Sequence, residues 1–122
     1  MKISVLLGLS LIAVSSAAFA IDCEEKFSNP ADAVTCLEKQ SFDKVIRHYN
    51  QLLQITKKNA LYAKYGLAPL IQSQKNWLKY RDSYCDSYST YHGEIYNHAN
   101  CIIQLNDDRA SQLENDIRVA GE

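Results

Sequence analysis

The sequence predicts an all-α protein, a small helical bundle of three long helices plus a short N-terminal helix, pinned by two disulfides. Apolar residues recur every three or four positions over most of the chain, which is the spacing of amphipathic helices. No alternating strand pattern, Asn-Gly hairpin or internal repeat competes with that period. The four cysteines, an even number in a short chain, indicate two disulfides and an exported protein.

The first twenty residues have the organisation of a secretory signal peptide. Lys2 supplies the positive start, and an apolar stretch follows over residues 3–18. Ala18-Phe19-Ala20 then provides the small-x-small pattern of a signal-peptidase site. We therefore predict a signal peptide at residues 1–20 and a single domain over residues 21–122.

The residues around the predicted cleavage site argue against a membrane anchor on the mature chain. The apolar stretch is short for a membrane span, and no second stretch follows it. Cys23 lies near the cut, but a lipidated cysteine normally follows Gly or Ala, whereas Asp22 precedes this one. We expect a protein without a membrane anchor, located in the periplasm of a Gram-negative bacterium or secreted.

The N-terminal helix is predicted from its capping residues. Asn29 can cap a helix whose first position is Pro30, and this helix would carry Cys36. Ser41 offers a second capping position, so we expect a break near Gln40.

Three long helices follow, each defined by its apolar period and its end signals. The first should end at Gly66, and Pro69 suits the first turn of the second, which should end at Gly93. The third is predicted over residues 94–118. The expected core positions are Phe42, Val45, Ile46, Tyr49, Leu52, Leu53, Ile55, Ala60 and Leu61, then Leu70, Trp77, Tyr80 or Arg81, Tyr84, Tyr88 and Tyr91, then Ile95, Ile102, Leu105, Leu113 and Ile117. The second helix thus carries an aromatic stripe, formed by Trp77, Tyr80, Tyr84, Tyr88 and Tyr91. We predict that this stripe is core, with contact to a partner or a glycan as the alternative.

The cysteine spacing favours a local disulfide pairing. Cys85 and Cys101 lie at equal distances on either side of Gly93, so they can meet across an antiparallel hairpin. Cys23–Cys36 would then tie the N-terminal segment to the first helix. The alternative pairing, Cys36–Cys101 with Cys23–Cys85, remains open at this point.

The charge distribution excludes one class of partner and suggests another. Without Lys2, 12 basic residues face 14 acidic ones, and no Lys/Arg stripe is present, so nucleic-acid binding is not expected. From Asp82 to the C-terminus, 8 acidic residues face 2 basic ones. This acidic part could attract a basic partner, although an exposed, solvated helix face would have the same composition.

One run of residues resembles the signature of a known family. Trp77, Arg81, Asp82 and Cys85 follow one another in a Trp-x-x-x-Arg-Asp-x-x-Cys pattern, with Cys101 downstream. Together with Gln74, Tyr80 and Arg109, this pattern is similar to that of the LprI-like lysozyme-inhibitor family. The resemblance extends from Cys23 to Leu113, and it departs from the family pattern at Ile46-Arg47, where Leu-Asn is common. It implies an exported helical protein that inhibits lysozyme-type muramidases.

The residue types needed for catalysis or metal binding are not arranged in a recognisable pattern. His48, His92 and His98 form no pair at metal-ligand spacing, no C-x-x-C pair is present, and no serine lies in a nucleophile elbow. We therefore predict no cofactor, no metal and no enzymatic activity.

We expect a protein partner, which could be a lysozyme, to contact the turn between the second and third long helices. The acidic, tyrosine-bearing end of the bundle would cover the cleft of the muramidase. The candidate contact residues are Tyr88, Tyr91, His92 and Glu94. A binder of another exported protein, of immunity or chaperone type, and a cell-wall enzyme are the alternatives. Oligomeric state does not follow from the sequence.

Overall fold

The computed structural model describes residues 22–93 and 96–121. Five helices follow one another: α1 (Cys23–Lys26), α2 (Pro30–Lys58), α3 (Ala60–Tyr65), α4 (Leu67–His92) and α5 (Asn97–Ala120). No strand occurs within these residues, and the all-α prediction of three long helices with a short N-terminal one is confirmed in outline. The short helix is α1, whereas the segment predicted to form it, from Pro30 to Gln40, is part of α2. The predicted signal peptide, residues 1–20, and the candidate contact residue Glu94 lie outside the described residues.

Helix α2 is longer than predicted because it has no break near Gln40. Asn29 caps its start as expected, with its Oδ1 accepting a hydrogen bond from the backbone N–H of Ala31 at 2.9 Å. Ser41, predicted to cap a new helix, instead lies buried within α2. Its hydroxyl donates to the carbonyl of Glu38, one turn back, at 2.8 Å. The hydroxyl thus bonds to the helix backbone without ending the helix.

The chain reverses direction between α2 and α4 through the short helix α3. Asn59 adopts an extended conformation that ends α2, and its side chain caps α3 by accepting from the N–H groups of Leu61 and Tyr62 at 3.0 and 3.1 Å. Gly66, predicted to end the first long helix, instead ends α3, because the long helix already stops at Lys58; the Gly66 N–H bonds to the Tyr62 carbonyl. Pro69 lies in the first turn of α4, where its missing N–H costs no helical hydrogen bond.

Helix α5 is the central helix of the bundle. It packs along α2 and, on another side, along α4, whereas α2 and α4 touch each other only slightly. Side-chain contacts show that α2 and α5 run parallel: Lys44 pairs with Asp107 at 3.5 Å, and His48 Nδ1 lies 3.0 Å from the Ala110 carbonyl oxygen. Helix α4 runs antiparallel to both.

Two apolar clusters form the core. The larger contains Val45, Leu52, Ala110 and Leu113, with Trp77 among the partly buried side chains around it. The smaller lies between α4 and α5 and contains Cys85, Cys101 and Ile102, with Tyr88 and Leu105 packed against it. On α2 and α3, three predicted core positions are wrong: Ile46 is 36% exposed, Leu61 is 63% exposed, and Ala60 is also exposed. Leu61 belongs to α3, which contributes no buried residue. Ile95, predicted as a core position, lies outside the described residues.

The disulfides join the pairs favoured by the spacing. Cys23–Cys36 ties α1 to the second turn of α2, with a Cα–Cα distance of 5.7 Å. Cys85–Cys101 joins α4 to α5 at 5.6 Å. No cysteine is left free. The alternative pairing is therefore excluded.

Candidate functional site

The hairpin between α4 and α5 is held by a glycine turn and a buried disulfide. Gly93 has φ 67°, in the left-handed region, and its N–H bonds to the Ser89 carbonyl at 3.1 Å. A residue with a side chain is disfavoured in this conformation, so glycine suits the position. Two turns of α4 before it, Cys85 is completely buried and bonded to Cys101. This crosslink fixes the position of the last turns of α4 relative to α5.

The aromatic residues of α4 form a ladder of stacked rings, which we call the α4 ladder: Tyr80, Tyr84, Tyr88 and His92. Successive ring centroids lie 5.6, 6.2 and 3.9 Å apart, with interplanar angles of 25°, 34° and 26°. The i, i+4 spacing places the four rings on one face of the helix. Because neighbouring rings partly cover each other's faces, the ring edges and the tyrosine hydroxyls are the groups offered to a partner.

The prediction that this stripe is core is wrong for most of its members. Tyr80 is 53% exposed, Tyr84 45% and Tyr91 81%, while Trp77 and Tyr88 are half-buried. The cause is the packing of α4, which has one extensive neighbour, α5. A helix with a single neighbour buries a narrow stripe, and the remaining aromatic residues face solvent. Exposed aromatic residues of this kind are typical of contact surfaces.

The candidate contact residues surround the end of the hairpin. Tyr91 and His92 are exposed in the last turn of α4, and Tyr88 packs against the disulfide cluster while stacking on His92. Asp86 reaches across the hairpin, with Oδ1 lying 3.0 Å from Nε2 of His98. The structure therefore brings Tyr88, Tyr91 and His92 together near the end of one disulfide-linked hairpin.

The hairpin end of the bundle is acidic. The side chains of Asp82 and Asp86 are 60% and 76% exposed. Because α2 is parallel to α5, the start of α2 and the attached α1 lie at the same end as the hairpin. The other exposed charged residues of this end are Asp22, Glu25, Asp32, Lys26 and Lys39. The acidic excess that the sequence placed after Asp82 is thus joined by carboxylates from the N-terminal segment.

The signature residues fall into an inner and an outer set. The inner set contains Gln74, Trp77, Arg81, Cys85, Cys101 and Arg109, which lie between the helices. Arg109 donates to Gln74 Oε1 from Nε at 3.1 Å and from Nη2 at 2.9 Å. The guanidinium groups of Arg81 and Arg109 both lie over the Trp77 ring, at 5.4 and 5.8 Å. These residues hold α4 against α5.

Arg109 is a buried cation with compensating contacts. Burial lowers its pKa, and the nearby carboxylate of Asp116 opposes that shift. A guanidinium normally remains charged because its pKa is far above neutrality, so bonds to Gln74 and Gln112 compensate for its desolvation. The role of Arg109 is therefore structural.

The outer set of signature residues, Tyr80 and Asp82, faces solvent. Tyr80 starts the α4 ladder. Asp82 accepts from the neighbouring Arg81 at 2.7 and 2.8 Å while its carboxylate stays largely exposed. These two side chains extend the aromatic and acidic surface of the hairpin along α4.

Sequence interpretation missed three polar residues of the interior, Ser41, Thr56 and Asn106, of which Ser41 and Asn106 bond to each other. Asn106 is completely buried, donates from Nδ2 to Ser41 Oγ at 2.9 Å, and accepts from Arg81 Nη1 at 3.0 Å. It thereby connects α2, α4 and α5. Its position four residues after Ile102 and seven before Leu113 is a core position of the helical period, so a polar residue there was a usable signal.

Neither a metal centre nor a membrane span is found in the described part of the chain. Over residues 22–93 and 96–121, no three His, Cys, Asp or Glu side chains are grouped so that they could hold a metal ion. Over the same ranges, no helix is both long and apolar enough to cross a bilayer.

The fold and this surface define a small, disulfide-stabilised helical protein with an exposed aromatic ladder beside carboxylates. The family model for the lysozyme inhibitor LprI matches residues 23–113, well over half of the chain. The chain therefore belongs to the LprI lysozyme-inhibitor family. Searches of curated proteins and of solved structures find no match.

Proposed function

We propose that the protein is an exported inhibitor of a lysozyme-type muramidase and that it acts by covering the active cleft with the end of the α4–α5 hairpin. The observation that carries this proposal is the exposed α4 ladder beside the carboxylates of Asp82 and Asp86. Membership in a family of lysozyme inhibitors and two disulfides, which are typical of exported proteins, support it.

The chemistry of the hairpin suits contact with a protein better than contact with a glycan. A sugar ring packs on the open face of an aromatic ring, but the faces within the α4 ladder partly cover one another. Tyrosine edges and hydroxyls are favoured at protein interfaces, where a rigid ring buries area and its hydroxyl finds a polar partner. Tyr91, outside the ladder and 81% exposed, would be the most prominent contact.

The carboxylates of the hairpin would steer the encounter and fix the orientation. Charges of opposite sign on two proteins raise the association rate and select the partner, with a smaller effect on the final affinity. An acidic surface would therefore favour a muramidase whose cleft is surrounded by basic residues. The crosslinked hairpin adds preorganisation, since Cys85–Cys101 removes part of the ordering cost of binding.

The test is hydrolysis of labelled cell walls by a c-type and a g-type lysozyme with the oxidised protein titrated in. Saturable inhibition near equal stoichiometry is expected. Tyr91→Ala should weaken inhibition by about thirtyfold if Tyr91 is a central contact. Tyr65→Ala is the matched control, because Tyr65 is 64% exposed at the opposite end of the bundle. Equal loss in both variants would contradict the placement of the contact surface on the hairpin.

A binder of another exported protein would have the same fold and the same exposed surface. It would leave both lysozymes fully active at high excess, and capture from periplasmic extract with the parent but not with Tyr91→Ala would identify its partner. Turnover of purified peptidoglycan by the protein alone would instead establish the enzyme alternative.

A further inference from the structure

An exposed apolar patch lies at the opposite end of the bundle from the hairpin. We call it the α3 corner and define it by Leu61, Tyr62 and Tyr65 of α3 and Val119 of α5. These four side chains are 63%, 37%, 64% and 57% exposed. They surround an open groove of 760 Å³, in which the more buried residues Leu52 and Thr56 also take part. Clustered apolar exposure of this kind marks an interaction surface more often than isolated exposed residues do.

The charges on the α2 and α3 side of this corner are all positive. Lys57 and Lys58 end α2, and Lys64 lies within α3; all three are exposed. The chain has no Asp or Glu between Asp43 and Asp82. Lys64 places its ammonium group 5.0 Å from the centre of the Tyr65 ring. The corner thus combines exposed apolar side chains with exposed cationic ones.

Among the described residues, the carboxylates near the groove lie on α5. Asp116 lines the groove and is exposed. Glu114 lies in the neighbouring cleft, which is also lined by His48 and Arg118. Lys57, Lys58 and Lys64 are exposed and do not line the groove, whereas Asp116 does.

We propose that the α3 corner docks on the surface of an anionic phospholipid bilayer. Leu61 and Tyr65 would enter the interfacial region, and the three lysines would lie among the phosphate groups. Stable binding of this kind requires both the apolar insertion and the lysines. A small apolar insertion alone binds a bilayer weakly, and each lysine near an anionic surface adds an electrostatic attraction. Lysine suits this position, since its flexible stem allows the ammonium group to reach the headgroups.

A second copy of the chain is a less suitable occupant. In a twofold pairing the same patch faces itself, so the lysines of two α3 corners would be brought near one another. An anionic bilayer presents the opposite sign over a wide area. Docking at the α3 corner would also leave the hairpin end free, so this inference does not depend on lysozyme binding.

The experiment measures sedimentation of the full, oxidised protein with vesicles of phosphatidylcholine, and with vesicles that also contain phosphatidylglycerol. Binding is expected only with the anionic lipid, and it should weaken as salt is added. The triple variant Lys57→Gln, Lys58→Gln, Lys64→Gln should bind about a hundredfold more weakly, from roughly a fivefold loss per lysine. The matched control removes three exposed lysines elsewhere: Lys26→Gln, Lys39→Gln and Lys79→Gln.

A fluorescent variant tests insertion. Leu61→Trp adds a reporter at an exposed position, and its emission should shift to the blue when anionic vesicles are added, whereas the parent protein should show no comparable change from Trp77. Circular dichroism confirms that each variant is folded.

Three results would overturn the proposal. The first is absence of binding by the folded parent to anionic vesicles. The second is an equal loss of vesicle binding in the two triple variants, because the attraction to anionic lipid would then not be localised at the α3 corner. The third is a doubled mass in sedimentation equilibrium that Leu61→Ser abolishes, without vesicle binding, since the corner would then be a self-association surface.

Discussion

The two disulfides should contribute nearly equally to stability but unequally to inhibition. They close loops with sequence separations of 13 and 16 residues. In the chain-entropy model each stabilises the fold by about 3 kcal/mol, and the difference between the two loops is only about 0.2 kcal/mol. Cys85–Cys101 also belongs to an apolar cluster, so its replacement by alanine should cost somewhat more than the loop entropy alone. The two double variants are matched in loop entropy, and thermal unfolding measures the remaining difference.

The assay combines thermal unfolding with inhibition of lysozyme. A loss of about 3 kcal/mol should lower the Tm of each double variant by about 10–20 °C. Both variants should remain folded at room temperature, because the free energy of unfolding of a small domain is usually larger than this loss. Cys85→Ala with Cys101→Ala frees the end of the hairpin, so inhibition should fall by about tenfold or more from the added ordering cost. Cys23→Ala with Cys36→Ala leaves the hairpin crosslinked and should inhibit almost as the parent does.

Two outcomes would refute this reasoning. Full inhibition by the folded Cys85→Ala, Cys101→Ala variant would show that a fixed hairpin is not needed for binding. Equal losses of inhibition in both variants would place part of the contact surface on α1 and the start of α2.

Three further changes test the interior, the turn and the charges. Asn106→Leu should lower the free energy of unfolding by about 2–3 kcal/mol, because Arg81 Nη1 loses its hydrogen-bond partner. Asn100→Leu, at an exposed position of the same helix, is the control and should change the free energy of unfolding by less than about 0.5 kcal/mol. Similar losses in the two variants would mean that the Asn106 contacts are not stabilising. Gly93→Ala should lower the free energy of unfolding, measured with denaturant, by about 1 kcal/mol: the added Cβ would meet no atom, so only the positive φ disfavours alanine. Gly93→Asn should cost less, because asparagine tolerates the left-handed conformation better. Equal stability of the parent and Gly93→Ala would contradict the left-handed turn. Asp82→Asn with Asp86→Asn should slow association with lysozyme in stopped-flow measurements at low salt, and the difference from the parent should vanish at high salt. A change confined to the dissociation rate would argue against electrostatic steering by these carboxylates.

The local features of this fold could be predicted from the sequence because each depends on neighbouring residues. The caps at Asn29 and Gly66, the turn at Gly93 and the early proline of α4 all follow from backbone conformations that particular residues favour. The Cys85–Cys101 pairing is nearly local as well, since equal spacing about a helical turn brings the two residues together. The break predicted at Ser41 failed because a capping residue can instead bond to its own helix when a partner such as Asn106 holds it inside.

The exposure of the aromatic residues depended on contacts between helices. A period of three to four places Tyr80, Tyr84 and Tyr88 on one face of a helix, but it does not say whether another helix covers that face. Here α5 lies between α2 and α4, so α4 has one extensive neighbour and most of its stripe remains in solvent. The same arrangement leaves α3 at the surface with Leu61 exposed.

By itself, the sequence determined the all-α class, the turn between α4 and α5, the family signature and the favoured cysteine pairs, but not the continuity of α2 through Ser41 or its end at Lys58. Only the tertiary structure decided that Trp77, Arg81 and Arg109 hold the helices together while Tyr80 and Asp82 face solvent. It also brought the acidic N-terminal segment to the end of the bundle that carries the hairpin. The physical reason is that helix propensity and capping act within a few residues, whereas burial and surface charge depend on which helices become neighbours.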